Sequence, residues 1–177
     1  ALEESAKRQK EALYTPEGAS TLKYLHSRGW TKEEIELAEL GYISVNEAHT
    51  IGKQDGIGTD YTLSIPLRSG GRIYGFKFRT INAQTPQQGK YVYLTGTSKR
   101  DNLFNLTGIL QENGSIVVVE GELDALHAQV RGINGIVATG GGKLTEELLQ
   151  AATGRGIKRI TLLFDKDEKG EKFIKDS

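Results

Sequence analysis

Ile116-Val117-Val118-Val119-Glu120-Gly121 and Ile160-Thr161-Leu162-Leu163-Phe164-Asp165-Lys166-Asp167 are two apolar runs that each end in acid. A run such as Ile116 to Val119, with no polar alternation, suits a strand buried on both faces, as in a parallel sheet covered by helices. The segments between agree: Leu123, Leu126 and Val130 have helical spacing, Gly135 to Ala138 reads as a strand, and Leu144, Leu148 and Leu149 as a second helix. In open parallel sheets ligands bind at the carboxyl ends of the strands. If these two strands are neighbours, Glu120, Asp165 and Asp167 project into one crevice. Three carboxylates there repel one another, and a divalent cation offsets that repulsion. Oxygen-only ligands select a hard ion, Mg2+ or Mn2+, over zinc, and such an ion can hold phosphate oxygens during phosphoryl transfer.

Two plainer readings compete. Asp165, Asp167 and Gly170 stand at the first, third and sixth positions of a calcium-loop pattern. Lys169 at the fifth position, Asp176 at the twelfth and the preceding apolar strand oppose it. An ordinary acidic surface turn is the other alternative, and the strand-end Glu120 weighs against it. Gly140-Gly141-Gly142-Lys143 is not a phosphate loop, because Val137 stands where its first Gly belongs and Leu144 where Ser or Thr belongs. His26, His49 and His127 share no metal-ligand spacing.

The chain has 177 residues, 37% of them hydrophobic and 26% charged, enough for one ordinary domain or two small lobes and not the composition of a disordered segment. The absence of cysteine removes disulfides and Cys-based zinc sites. No apolar run approaches the ~20 residues of a membrane span and no export signal opens the chain, so a cytoplasmic location with no membrane partner is expected. The start at Ala1 and the lack of Met read as a fragment of something longer. Net charge is zero but uneven: residues 51–105 have 8 Lys/Arg against 3 Asp/Glu.

Upstream, Thr15-Pro16-Glu17 predicts a helix start with Thr15 as N-cap, ended by Gly29. Thr31 with Glu34 forms a capping-box pattern, with Gly41 placed as the terminating residue. Trp30, Tyr24 and Tyr42 are more simply core than base-stacking residues. From Tyr61 the pattern alternates: Leu63, Ile65 and Leu67, then Ser69-Gly70-Gly71, then Ile73, Gly75, Phe76 and Phe78 predict a β-hairpin, extended by a third strand at Tyr91 to Leu94.

Val118-Val119-Glu120-Gly121-Glu122-Leu123-Asp124-Ala125-Leu126, then Ala138-Thr139-Gly140-Gly141-Gly142, then Leu163 to Gly170 resemble the successive motifs of a TOPRIM domain. The Glu-Gly-Glu-Leu-Asp-Ala-Leu form is similar to that of phage primase-helicases, the mitochondrial helicase Twinkle and bacterial DnaG primases. The resemblance implies that Glu120, Asp165 and Asp167 are metal-coordinating catalytic acids and that Asp124 is an accessory acid of the same site. The family supplies further acids after a fourth strand, which this chain does not reach. Tyr24 to Thr31, the hairpin around Gly71-Arg72-Ile73-Tyr74-Gly75-Phe76-Lys77-Phe78-Arg79, and Lys90-Tyr91 through Ser98-Lys99-Arg100 to Leu106 resemble the DnaG polymerase core. That likeness implies nucleotide and template binding by Arg79, Lys90 and Lys99, with Lys77 beside them.

The expected architecture is α/β: a mixed α+β lobe with a small antiparallel sheet over residues 1–108, then a parallel-sheet TOPRIM lobe over 109–177, truncated at its C-terminus. The implied activity is Mg2+- or Mn2+-dependent synthesis of RNA primers from NTPs on single-stranded DNA, with a replicative helicase as partner in cis or in trans. A TOPRIM nuclease and a non-catalytic nucleic-acid-binding module of a replication protein are the alternatives.

Overall fold

The structure is a computed structural model that describes residues 1–52, 56–85, 89–97, 104, 114–140 and 144–165. The chain divides into two compact units, Ala1–Ser98 and Lys99–Ser177. The boundary read from sequence, at 108, falls among residues outside those described.

In the first unit, helices α1 (Leu2–Ala12), α2 (Ala19–Ser27), α3 (Lys32–Leu37) and α4 (Val45–Ile51) accompany strands β1 (Gly41–Tyr42), β2 (Tyr61–Ser69), β3 (Arg72–Thr80) and β4 (Tyr91–Tyr93). The strands form an antiparallel sheet in the order β1-β2-β3-β4. The predicted hairpin and third strand are both present. Gly70 and Gly71 make its two-residue turn with φ of +58° and +77°, the positive pair that a tight right-twisting hairpin turn needs. A bulge shifts the register between Leu67 and Arg68. It explains why Ile73, Phe76 and Phe78, whose spacing is not strictly two, share one buried face. The Phe76 and Phe78 rings stack there at 5.8 Å, packed with Ala6, Ile43, Ala48, Ile57 and Leu94. The other face carries Leu63, Ile65 and Leu67, all buried.

Two helix ends differ from the sequence reading. Thr15 does not cap α2: its hydroxyl donates instead to the Ala12 carbonyl at 2.8 Å, and a 3-10 turn, Pro16–Gly18, precedes the helix. Gly18 lets that turn pass close to α1, since a Cβ there would lie 2.5 Å from the Ala12 carbonyl oxygen. The Thr31–Glu34 capping box forms as expected, but α3 is capped by Ala38, and Glu39 rather than Gly41 is the left-handed residue that follows. Glu39 takes the left-handed conformation at φ +55°, with Leu40 N–H donating to the Ile35 carbonyl at 3.1 Å. Arg68 holds the Glu39 carboxylate. Gly41 serves β1, where a Cβ would meet the Gln9 backbone at 2.8 Å.

The second unit holds β5 (Ser115–Val119), α5 (Glu122–Val130), β6 (Ile136–Ala138), α6 (Glu146–Thr153) and β7 (Arg159–Leu162). The strands are parallel in the order β6-β5-β7, with β5 central. Ala152 of α6 packs with Ile116, Val118, Val137, Leu144 and Ile157, while Ala125 of α5 packs with Val119 and Ala138, so the helices cover opposite faces. Leu144 precedes α6: Thr145 caps it, accepting from Leu148 N–H at 3.4 Å. The double burial read from sequence holds at the end of β5, where Val118 on the α6 side and Val119 on the α5 side are 0% and 8% exposed. It does not hold for β7, whose Arg159 and Thr161 are exposed and which Leu163, 61% exposed, follows. Among the described residues β7 is an edge strand paired only with β5.

Candidate metal centre and cationic face

The acid edge of the second unit is built by backbone register. Val118 pairs with Leu162, and the ladder continues past the strand ends: Leu163 N–H donates to the Val118 carbonyl at 2.8 Å, and Asp165 N–H donates to Glu120 Oε1 at 3.2 Å. On the other side of β5, Thr139 N–H donates to the Val119 carbonyl at 3.0 Å. Glu120 and Asp165 are thus brought together at the carboxyl ends of neighbouring strands from 45 positions apart. Gly121, in extended conformation, turns the chain into α5, whose first turn carries Glu122 and Asp124. An Oδ of Asp124 lies 2.7 Å from where a Gly121 Cβ would stand, so the glycine leaves the space this carboxylate occupies. Acids in this turn also complement the positive end of the helix.

Asp167, Gly170 and residues 141–143 lie outside the described residues, and among those described no group of three metal-type side chains is gathered. The donor chemistry that is described, carboxylate oxygen from two adjacent strand ends without sulfur or imidazole, fits a hard divalent ion.

The first unit gathers cations against tyrosines. Lys77 and Arg79 of β3 lie across from Tyr93 and Tyr91 of β4. Lys77 Nζ is 4.5 Å from the Tyr91 ring centre and 5.0 Å from that of Tyr93. The Arg79 guanidinium carbon is 4.9 Å from Tyr91 and 5.5 Å from Tyr24 of α2, and Nη1 donates to the Tyr91 hydroxyl. Contacts of this kind are favourable because ring faces carry negative partial charge. Lys77 is 3% exposed and Arg79 half-buried. Lys90, half-buried, directly precedes β4, and its carbonyl accepts from Thr80 N–H at 3.0 Å. Lys99 lies outside the described residues.

Sequence reasoning named the cations but missed Tyr91 and Tyr93 as their partners. The signal was present in the two alternating pairs, but it needed the β3–β4 register. Trp30, 4% exposed, fills core, as read. A cleft of about 600 Å³ elsewhere in this unit is lined by Thr21, Tyr42, Thr62, Thr80 and Asn82 with Glu17 and Asp60. Its acids, with no Lys or Arg among its described lining residues, do not suit phosphate.

Residues 117–177 match the family model described as Toprim-like. Over 90% of its length the chain is 29% identical to a DNA primase of Staphylococcus epidermidis, covering 31% of that relative. It superposes on the crystal structure of the Aquifex aeolicus primase zinc-binding and RNA polymerase domains with a TM-score of 0.77 at 25% identity, covering 99% of this chain and 49% of that one. The chain is similar to TOPRIM primase cores in sequence and in fold. A DnaG primase catalytic domain solved bound to single-stranded DNA shares the fold at a TM-score of 0.73 and 22% identity, over 97% of this chain and 62% of that one. The chain spans about a third of the length of the curated relatives it matches. TOPRIM primases are metal-dependent, and no described helix of this chain is long and apolar enough to cross a membrane.

Proposed function

We propose that this chain is the catalytic-core portion of a DNA primase, a nucleotidyltransferase that joins NTPs into RNA primers on single-stranded DNA in the cytoplasm. The observation that carries the reading is the meeting of Glu120 and Asp165 at adjacent strand ends in a chain whose likeness to primases extends over nine-tenths of its length. That extent favours a primase over a TOPRIM nuclease, which shares only the second unit.

In this reading Glu120, Asp165 and Asp167 are the metal ligands, with Asp124 as accessory acid, and Mg2+ or Mn2+ is the ion they take. The bound ion supplies charge neutralisation at the triphosphate. The carboxylates fix its position relative to the sheet, because Glu120 is anchored through Asp165 N–H. Arg79, Lys90 and Lys99 bind nucleotide and template phosphates, with Lys77 reinforcing their charge. A replicative helicase, in cis or in trans, is the expected partner.

The test is primer synthesis by the full-length protein that contains this chain, on single-stranded DNA with NTPs, with and without Mg2+. Metal-dependent RNA primers are expected, and their loss in Asp165→Asn. Metal-dependent DNA cleavage without synthesis would establish the nuclease, and DNA binding without either activity the non-catalytic module.

A further inference from the structure

We infer that Tyr91 is a positioning residue that fixes the Arg79 guanidinium for a phosphate oxygen, with Tyr24 and Lys77 completing the frame. The inference rests on the reading of Arg79 as a phosphate-binding residue and adds the device that orients it.

An arginine side chain on a strand samples many rotamers, and ordering it when a ligand arrives weakens binding. Arg79 is ordered in advance. Its guanidinium carbon lies within 5.5 Å of two ring centres, Tyr91 from the neighbouring strand and Tyr24 from α2. The Tyr91 hydroxyl accepts from Nη1, and Nε is buried with no hydrogen-bond partner. Two rings and one directed hydrogen bond therefore determine the plane of the fork. Lys77 lies two positions back on the same strand face, and two cations so placed repel each other. The Tyr91 ring offsets that repulsion, because Lys77 Nζ approaches it at 4.5 Å and Arg79 at 4.9 Å. At 3% exposure Lys77 contributes potential from beneath the ring and not a direct contact. The ligand chemistry is a phosphate oxygen, from the backbone of a single strand or from the triphosphate of a nucleotide.

The test uses Arg79→Ala, Tyr91→Leu, Tyr91→Phe and the Arg79→Ala/Tyr91→Leu double variant. Binding of a fluorescent single-stranded oligonucleotide is followed across a salt series, and binding of Mg-ATP in a second arm; the arm that responds identifies the source of the phosphate. Arg79→Ala is expected to weaken one arm about tenfold and, if it is DNA, to lower the salt slope by about 0.7. Tyr91→Leu should reproduce that loss and that slope. Tyr91→Phe, which keeps the ring, should lose only about two- to threefold at unchanged slope, and the double variant should bind no worse than Arg79→Ala. If Arg79→Ala changes neither arm, the phosphate reading of Arg79 fails and the inference with it. If Arg79→Ala weakens binding while Tyr91→Leu matches wild type, or the losses add in the double variant, the reading stands and positioning by Tyr91 is overturned. Should Tyr91→Leu not fold, Tyr24→Leu removes the second ring, and wild-type affinity there overturns the inference equally.

Discussion

The acid edge of the second unit and the cationic face of the first are built by opposite means. Glu120 and Asp165 are placed by where strands stop: parallel register carries both acids to the same end of the sheet, and one backbone N–H steadies a carboxylate. Lys77 and Arg79 are placed by what surrounds them, on a strand buried on both sides, each against two tyrosine rings. Acids held by backbone geometry should tolerate isosteric replacement with the fold intact. Cations held by side-chain packing should transmit a neighbour's loss.

The largest expected effect tests the first half of that contrast. Asp165→Asn or Asp167→Asn in the full-length protein should lower Mg2+-dependent primer synthesis on the order of a hundredfold or more. The melting temperature should stay level or rise as carboxylate repulsion is relieved. A matching collapse in stability would show that these acids hold the fold together and would erase the contrast. For the packed unit, Phe78→Ala removes a fully buried ring stacked on Phe76 and should cost about 3–5 kcal/mol in denaturant unfolding. A cost below 1 kcal/mol would mean the sheet is not anchored as described. Thr31→Ala deletes one half of the capping box and should cost about 1 kcal/mol, with Thr31→Ser retaining most of it.

The smallest effect is a pH dependence within the first unit. Burial would push Glu47 up, but hydrogen bonds from Arg8 and Ser5 outweigh it and hold the carboxyl below its ordinary value. A depressed folded-state value stabilises the fold above the unfolded value, and the gain is lost as pH falls through the folded one. Glu47→Gln should therefore flatten the acid limb of the thermal-stability profile below about pH 4.5, with the wild-type and variant curves running parallel above it. An unchanged acid limb would assign no such role to the Arg8–Glu47 pair.

How much of this was legible follows from the same contrast. The uninterrupted Ile116 to Val119 run and the acid after it predict both the central strand and the residue at its end, because a parallel sheet needs little beyond local pattern. The hairpin was equally plain, through alternation and Gly70-Gly71. The end of α3 was not: Glu39 takes the left-handed position that glycine usually fills, and the partner of its carboxylate is Arg68, 29 residues away. The exposure of β7 escaped for the same cause, since an apolar run does not say whether a second neighbour will cover it. Nor did the alternation of Lys77 and Arg79 with Phe76 and Phe78 disclose Tyr91 and Tyr93, because cross-strand register belongs to the turn and bulge that fix it. Thr15 was missed on local grounds, because its hydroxyl turned back to Ala12, whereas the helix end at Glu39 and the tyrosine partners were missed because they depend on distant segments.

The strand order β6-β5-β7 also has a consequence in time. The hairpin of the first unit closes over two glycines, so its partners leave the ribosome almost together. The central strand of the second unit must wait for β7, and the acids for a partner 45 residues later. Pairing across that separation is slow because the intervening chain must be closed first. During synthesis the cationic face is therefore expected to mature before the acid edge, and nascent chains would pass through an interval in which they can attract polyanions before they can hold a metal ion.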